Sequence, residues 1–200
     1  MDILFVDNHL LAARKPAGIA TQPTFEEMAK QWVEKTYKKP GRAFLEPIHR
    51  LDKPVSGIVL FARTSKALSR LHAMMRERKI AKTYRAEVEG IVAKSQDTLE
   101  HYLVHDEFHA RVSTAADPEA KKAVLSYQVI QTTKHTTVLE ITLHTGRYHQ
   151  IRAQLSAIGH PILGDEKYGS HRGASSLALE HTKMEFIHPV TLKILEIHSL

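Results

Sequence analysis

"HRLDKPVSGIVLFARTSKA", His49–Ala67, carries a loop, a strand and a helix start in one stretch. Gly57–Ala62, "GIVLFA", is a continuous apolar run, the pattern of a strand covered on both faces. Thr64 or Ser65 can cap a helix directly after it, "TSKALSRLHAMMRERK", in which Leu68, Leu71 and Met75 form an apolar stripe. Lys66, Arg70, Arg76, Arg78 and Lys79 lie off that stripe. Ahead of the strand, Ser56-Gly57 permits a sharp turn. Just before it stands one carboxylate, Asp52, with Arg50 on one side and Lys53 on the other.

Working outward, "ILFVD" at Ile3–Asp7 and "HLLAARKP" at His9–Pro16 read as two strands of a hairpin, with Asp7-Asn8 as the turn. "KPAGI" is a tight turn. From Thr24 apolar residues recur at helical spacing through Tyr37. Thr24 and Glu27 fit a capping box, and "KKPG" at Lys38–Gly41 ends the helix. "KTYRAEVEG" alternates, with Tyr84, Ala86 and Val88 on one face. Residues 95–122 are polar and carry no clear period. "AVLSYQVI" and "TTVLEITLH" read as paired strands. "TGRYHQIRAQLSAIG" turns into a helix that buries Ile151, Leu155 and Ile158 and stops at Gly159. "HPILGDEKYGS" is a loop, and "LALEHTKMEF" and "LKILEIHSL" are closing strands. Strand runs with interspersed helices point to an α+β fold, read as one domain over 1–200.

The chain has 200 residues and no cysteine, so disulfide and thiolate chemistry are excluded. No leader or membrane-length apolar run is present, which makes a cytoplasmic protein the expectation. Net charge is +6 with histidine neutral, a balance that favours polyanionic partners such as nucleic acid. There is no phosphate-loop signature, dinucleotide fingerprint or nucleophile elbow. His101, His105 and His109 recur every fourth residue, but in a segment without helical period. They read as scattered surface histidines, and no metal site is expected.

Asp52 has two readings. A polar loop aspartate is ordinarily a turn or cap residue. Flanked by Arg50 and Lys53, the same group would stay ionised, which suits a nucleophile or general base and not a general acid. Arg147 and Arg152, in "TGRYHQIR", are either surface charge or an anion clamp. Tyr84 is either core packing or an aromatic that stacks a base.

These stretches, in this order, resemble the RluA-type pseudouridine synthases, in a compact form without the amino-terminal accessory RNA-binding domain. "HRLDKPVSGIVLFARTSKA" is similar to the family's catalytic motif. "ILFVDNHLLAARKPAGI" resembles its opening hairpin and Lys-Pro-Ala-Gly turn, and "AKTYRAEVEG" its tyrosine motif. "TGRYHQIRAQLSAIGHPILGDEKYG" resembles its arginine motif, and "FIHPVT" its late His-Pro segment. The resemblance implies a pseudouridine synthase fold, with a central mixed, largely antiparallel sheet flanked by helices. It implies isomerisation of uridine in a tRNA or rRNA stem-loop, by a monomeric catalytic domain, with no cofactor.

By the same resemblance Asp52 is the essential carboxylate, and Arg152 the arginine that pairs with it. Tyr84 is the tyrosine that stacks on the base and helps remove the C5 proton. Arg50 enters the RNA where the nucleotide flips out, and His49, Lys53 and Arg147 add contacts to the RNA. A protein of this fold that binds RNA as a chaperone is the alternative reading. The chain departs from the pattern at "ATQPT", Tyr148, Gln154 and Glu180. Tyr148 and Glu180 bear on RNA selectivity, and no catalytic position is lost.

Overall fold

A computed structural model describes residues 1–38 and 41–199. In chain order the first elements are β1 (Asp2–Val6), β2 (Leu10–Lys15), α1 (Glu26–Tyr37), β3 (Glu46–Pro47), β4 (Ser56–Ala62) and α2 (Ser65–Arg76). Next come β5 (Ala81–Glu89), β6 (Gln96–Asp106), β7 (His109–Ser113), β8 (Lys121–Thr132) and β9 (Thr136–Leu143). α3 (Gln150–Ala157), β10 (Leu179–Ile187) and β11 (Ile194–His198) close the chain. The chain divides into two compact units, residues 1–81 with 181 onward, and Lys82–Glu180. The α+β class expected from the sequence holds, and the strand pairs whose residue register is given below are antiparallel. Among the described residues no helix is long and apolar enough to cross a membrane.

In the first unit the strands run in the order β1-β2-β4-β10, with β11 on β10 and β3 on β4. Asp7 makes the first turn as its sequence context predicts. Its Oδ1 accepts from the backbone N–H of His9 at 2.8 Å and of Leu10 at 2.7 Å. Its Oδ2 lies 2.9 Å from His188 Nε2, which ties the first turn to the late His-Pro segment. β2 and β4 pair antiparallel from Leu10↔Ala62 to Lys15↔Gly57. Every residue of Gly57–Ala62 is buried, as the unbroken apolar run requires. Gly57 has φ +115°, and a Cβ there would collide with the backbone of His181, so only glycine fits. The core joins Leu10, Ile58, Leu60 and Ala62 to Ala67 and Leu71 of α2 and to Met184 and Phe186 of β10.

α2 begins as expected, with Thr64 Oγ1 accepting from Ala67 N–H at 3.2 Å. α1 does not. Its cap position is Phe25, with no side-chain cap, and a kinked π-type turn at Thr21–Phe25 precedes it. The Thr24/Glu27 capping box is therefore a misreading. Glu26 instead bonds Gln22 at 2.8 Å, and the start is anchored by burial of Phe25 against Phe61. Lys38 is left-handed at the helix end, and the rest of the expected stop at Lys39-Pro40 lies outside the described residues.

The second unit is ordered β5-β9-β8-β6-β7. β5 turns Tyr84, Ala86 and Val88 inward, as its alternation predicts. β8 and β9 pair as expected. The polar stretch that carried no period contains the hairpin of β6 and β7. Few of its residues are buried (Leu99, Leu103, Val104 and Ala110), so exposed polar side chains mask the alternation. His101 and His105 lie on β6 and His109 on β7, and no cluster fit to hold a metal occurs among the described residues.

Candidate active site

In the first unit, Asp52 sits on a loop whose backbone is held on both sides. Thr21 Oγ1 donates to the carbonyl of Leu51 at 2.9 Å and accepts from its N–H at 3.0 Å. On the other side, the carbonyl of Lys53 accepts from Gly18 N–H at 2.9 Å and lies 3.3 Å from Lys15 Nζ. Val55 N–H closes the turn onto the Asp52 carbonyl at 3.0 Å. A residue between two such clamps has little freedom to drift, and geometry of this kind fixes a reacting group.

Lys15 is fully buried at the end of β2. Its ammonium also donates to the carbonyls of Pro16 at 3.0 Å and Ile19 at 2.8 Å, so all three donors have a partner. Burial lowers its pKa to about 8, against the opposing pull of the Asp52 charge. At neutral pH it therefore remains mostly a cation near the carboxylate, and it favours the ionised form of Asp52. The sequence reading gave that role to Arg50 and Lys53, whose side chains are exposed. Lys15 went unnoticed there except as a letter of the Lys-Pro-Ala-Gly turn.

Lys15→Met should leave three carbonyls short of a donor and cost about 2 kcal/mol, read from urea unfolding. The pH sign follows from the lowered pKa. The folded protein binds fewer protons than the unfolded one between about 8 and 10.5, so wild type gains on Lys15→Met as pH rises through that window. Equal pH slopes for the two proteins would overturn this.

His49, read as an RNA contact, has its Nε2 on the strand. It accepts from Leu60 N–H at 3.2 Å, which puts the proton on Nδ1. Its ring meets His181 edge-on at 5.4 Å. His181 is fully buried, and its Nδ1 donates to the Ile58 carbonyl at 2.8 Å.

In the second unit, Tyr84 is 7 % exposed and stands opposite Ile141 of β9. Arg152 is buried in α3. Its Nε and Nη2 donate to Asp165 Oδ2 at 2.7 Å and Oδ1 at 2.8 Å, a two-point grip that fixes the guanidinium plane. Nη1 lies 3.1 Å from His149 Nε2. Arginine can only donate, so that nitrogen accepts and the His149 proton sits on Nδ1. Nδ1–H then donates to Tyr168 Oη at 2.8 Å, and Tyr168 Oη also accepts from Ala110 N–H at 2.8 Å. Burial first, and the charge of Arg152 next, press the His149 pKa down to about 3, so the ring stays neutral. Its backbone is left-handed, φ 48°, a strain its partners hold in place.

Asp165 was missed in the sequence, where "GDEKYG" read as a plain loop. Its one signal was an acid following the arginine motif. Arg147 is exposed, with Nε on the Lys122 carbonyl at 3.1 Å. Gln154 is a structural pin: it is fully buried and donates from Nε2 to the Leu99 carbonyl at 3.1 Å.

Residues 9–157 match the family described as RNA pseudouridylate synthase. The chain is 33 % identical to the "Uncharacterized RNA pseudouridine synthase YhcT" of Bacillus subtilis, over 96 % of its own length and 65 % of that protein. It thus spans just under two thirds of that relative. Identity is also 33 % to the "Dual-specificity RNA pseudouridine synthase RluA" of Pasteurella multocida, over 96 % of this chain and 89 % of that one. Among solved structures, "Human RNA Pseudouridylate Synthase Domain Containing 4" shares the fold at a TM-score of 0.85 and 22 % identity, over 98 % of this chain and 87 % of that one. With a match over most of its length and relatives that cover nearly all of it, the chain belongs to the RNA pseudouridylate synthase family.

Proposed function

We propose that this protein converts uridine to pseudouridine in a structured tRNA or rRNA stem-loop, with Asp52 as the catalytic carboxylate. The observation that supports this most is the doubly clamped Asp52 loop beside the buried Lys15 ammonium, in a chain of this family. In this reading the two units act as one catalytic domain over 1–200, as a monomer in the cytoplasm and without a cofactor. Asp52 attacks the nucleotide or removes a proton from its sugar. The N1–C1′ bond breaks, the uracil turns, and C5 bonds to C1′. The C5 proton leaves, and N1 gains one.

Arg152 belongs with Asp52 as the residue that keeps it ionised, and Tyr84 stacks on the uracil. Arg50, exposed on the Asp52 loop, fills the space left by the flipped nucleotide. His49, Lys53 and Arg147 contact the RNA around it.

The test is tritium release from RNA labelled at uridine C5, prepared from cells lacking this protein. Release by wild type supports the isomerase. Its absence from every RNA fraction, with folded and RNA-bound protein, would turn the reading to the chaperone of the same fold. Tyr84→Phe should fold normally, because the ring still fills the site, and should lose most turnover. Near-normal tritium release from that variant would confine Tyr84 to stacking.

A further inference from the structure

Lys82 is a half-buried cation that the proposed mechanism does not use. It precedes Tyr84 by two residues on β5, so the two share one face of the strand, about 7 Å apart along it. Its Nζ lies 3.6 Å from the point where a Cβ on Gly146 would stand. Gly146 is exposed and has no side chain, which leaves room beside the ammonium. The turn it belongs to is built rigidly. Gln150 Oε1 accepts from Thr145 Oγ1 at 2.7 Å and from Arg147 N–H at 3.0 Å.

Several other lysines are paired. Lys94, Lys122 and Lys183, on the surface, each have a carboxylate within 3.0 Å. Buried Lys15 has three carbonyls. For Lys82 burial alone moves the pKa, downward, and no acid among the described residues offsets it. A half-buried ammonium without a counter-charge is costly, and an arriving anion removes that cost. Lysine is a compact point charge, suited to a phosphate oxygen.

We propose that Lys82, at the Thr145–Arg147 turn, is a binding subsite for one phosphodiester of the substrate RNA at the target nucleotide, with exposed Arg147 as its flanking cation. This rests on the isomerase reading above and adds a named substrate contact to it.

The experiment measures kcat and KM on C5-tritiated RNA over a series of KCl concentrations, for wild type, Lys82→Met, Lys82→Gln and Lys82→Arg. Lys82→Met and Lys82→Gln should raise KM about tenfold and change kcat little. They should also lower the slope of log(kcat/KM) against log salt by about one, the mark of a lost phosphate contact. Lys82→Arg should restore the slope. Thermal unfolding of Lys82→Met should be no lower than wild type, because an unpaired buried charge is gone. Two variants keep the test intact if one fails to fold. An unchanged salt slope, or lost kcat at unchanged KM, would overturn the proposal. If wild type itself makes no pseudouridine, the isomerase reading falls separately. Equilibrium RNA binding by the same proteins then gives the salt slope directly, and a slope lowered by about one still supports the subsite.

Discussion

Asp52→Asn is expected to cut pseudouridine formation by about 10³-fold or more while RNA affinity stays the same or tightens. The amide has the shape of the carboxylate but cannot act as nucleophile or base, and loss of a general base alone costs about 10²–10⁴-fold. The clamps from Thr21, Gly18 and Lys15 all bind backbone atoms of the neighbouring residues, so the loop should hold its place in the variant. Removing a negative charge next to phosphates can only ease their approach. Single-turnover tritium release with matched RNA-binding curves reads both effects. Turnover within tenfold of wild type would rule Asp52 out as the reacting group.

The second large effect is on stability. Asp165→Ala should destabilise the protein by about 3–5 kcal/mol, because it removes the carboxylate that grips the buried Arg152 guanidinium at two points. In urea this appears as a lower midpoint at an unchanged m-value. A cost under about 1 kcal/mol would mean that Arg152 finds water or another acceptor when Asp165 is lost. The double variant Arg152→Met with Asp165→Leu separates folding from function. An apolar pair in a buried ion-pair site restores much of the stability. If Arg152 serves the chemistry, the double variant folds and stays inactive.

How much of this could be read from the sequence depended on where each residue's partners lie along the chain. β4 declared itself because burial on both faces leaves no polar residue in "GIVLFA". β5 kept clean alternation, and β8 kept it over Ala123–Gln128. β6 and β7 did not, because most of their side chains face water. The start of α1 was misread because a local rule, the capping box, competed with a long-range one. The threonine that matters there is Thr21, and its partner is Leu51. Asp52, Tyr84 and Arg152 were legible as letters of motifs. What holds two of them was not. Lys15 reaches the carbonyl of Lys53, and Asp165 meets Arg152 across a loop that carries no period of its own. Pattern reading finds what repeats at fixed spacing, and these supports are fixed by tertiary contact.

The hydrogen bond from His188 to Asp7 has a consequence for the birth of the molecule. The unit that carries Asp52 is discontinuous in sequence, with residues 82–180 lying between its two parts. On a ribosome adding about 5–20 residues per second, β4 waits on the order of ten seconds before β10 exists to cover its edge. The equilibrium penalty for so long a closure is small, since it grows only with the logarithm of length. The kinetic exposure is not small. Through that interval the part of this largely apolar strand that β3 does not cover presents a bare edge, the substrate of chaperones and of mispairing. The stretch that carries Asp52 is among the first to be synthesised and among the last to be sheltered.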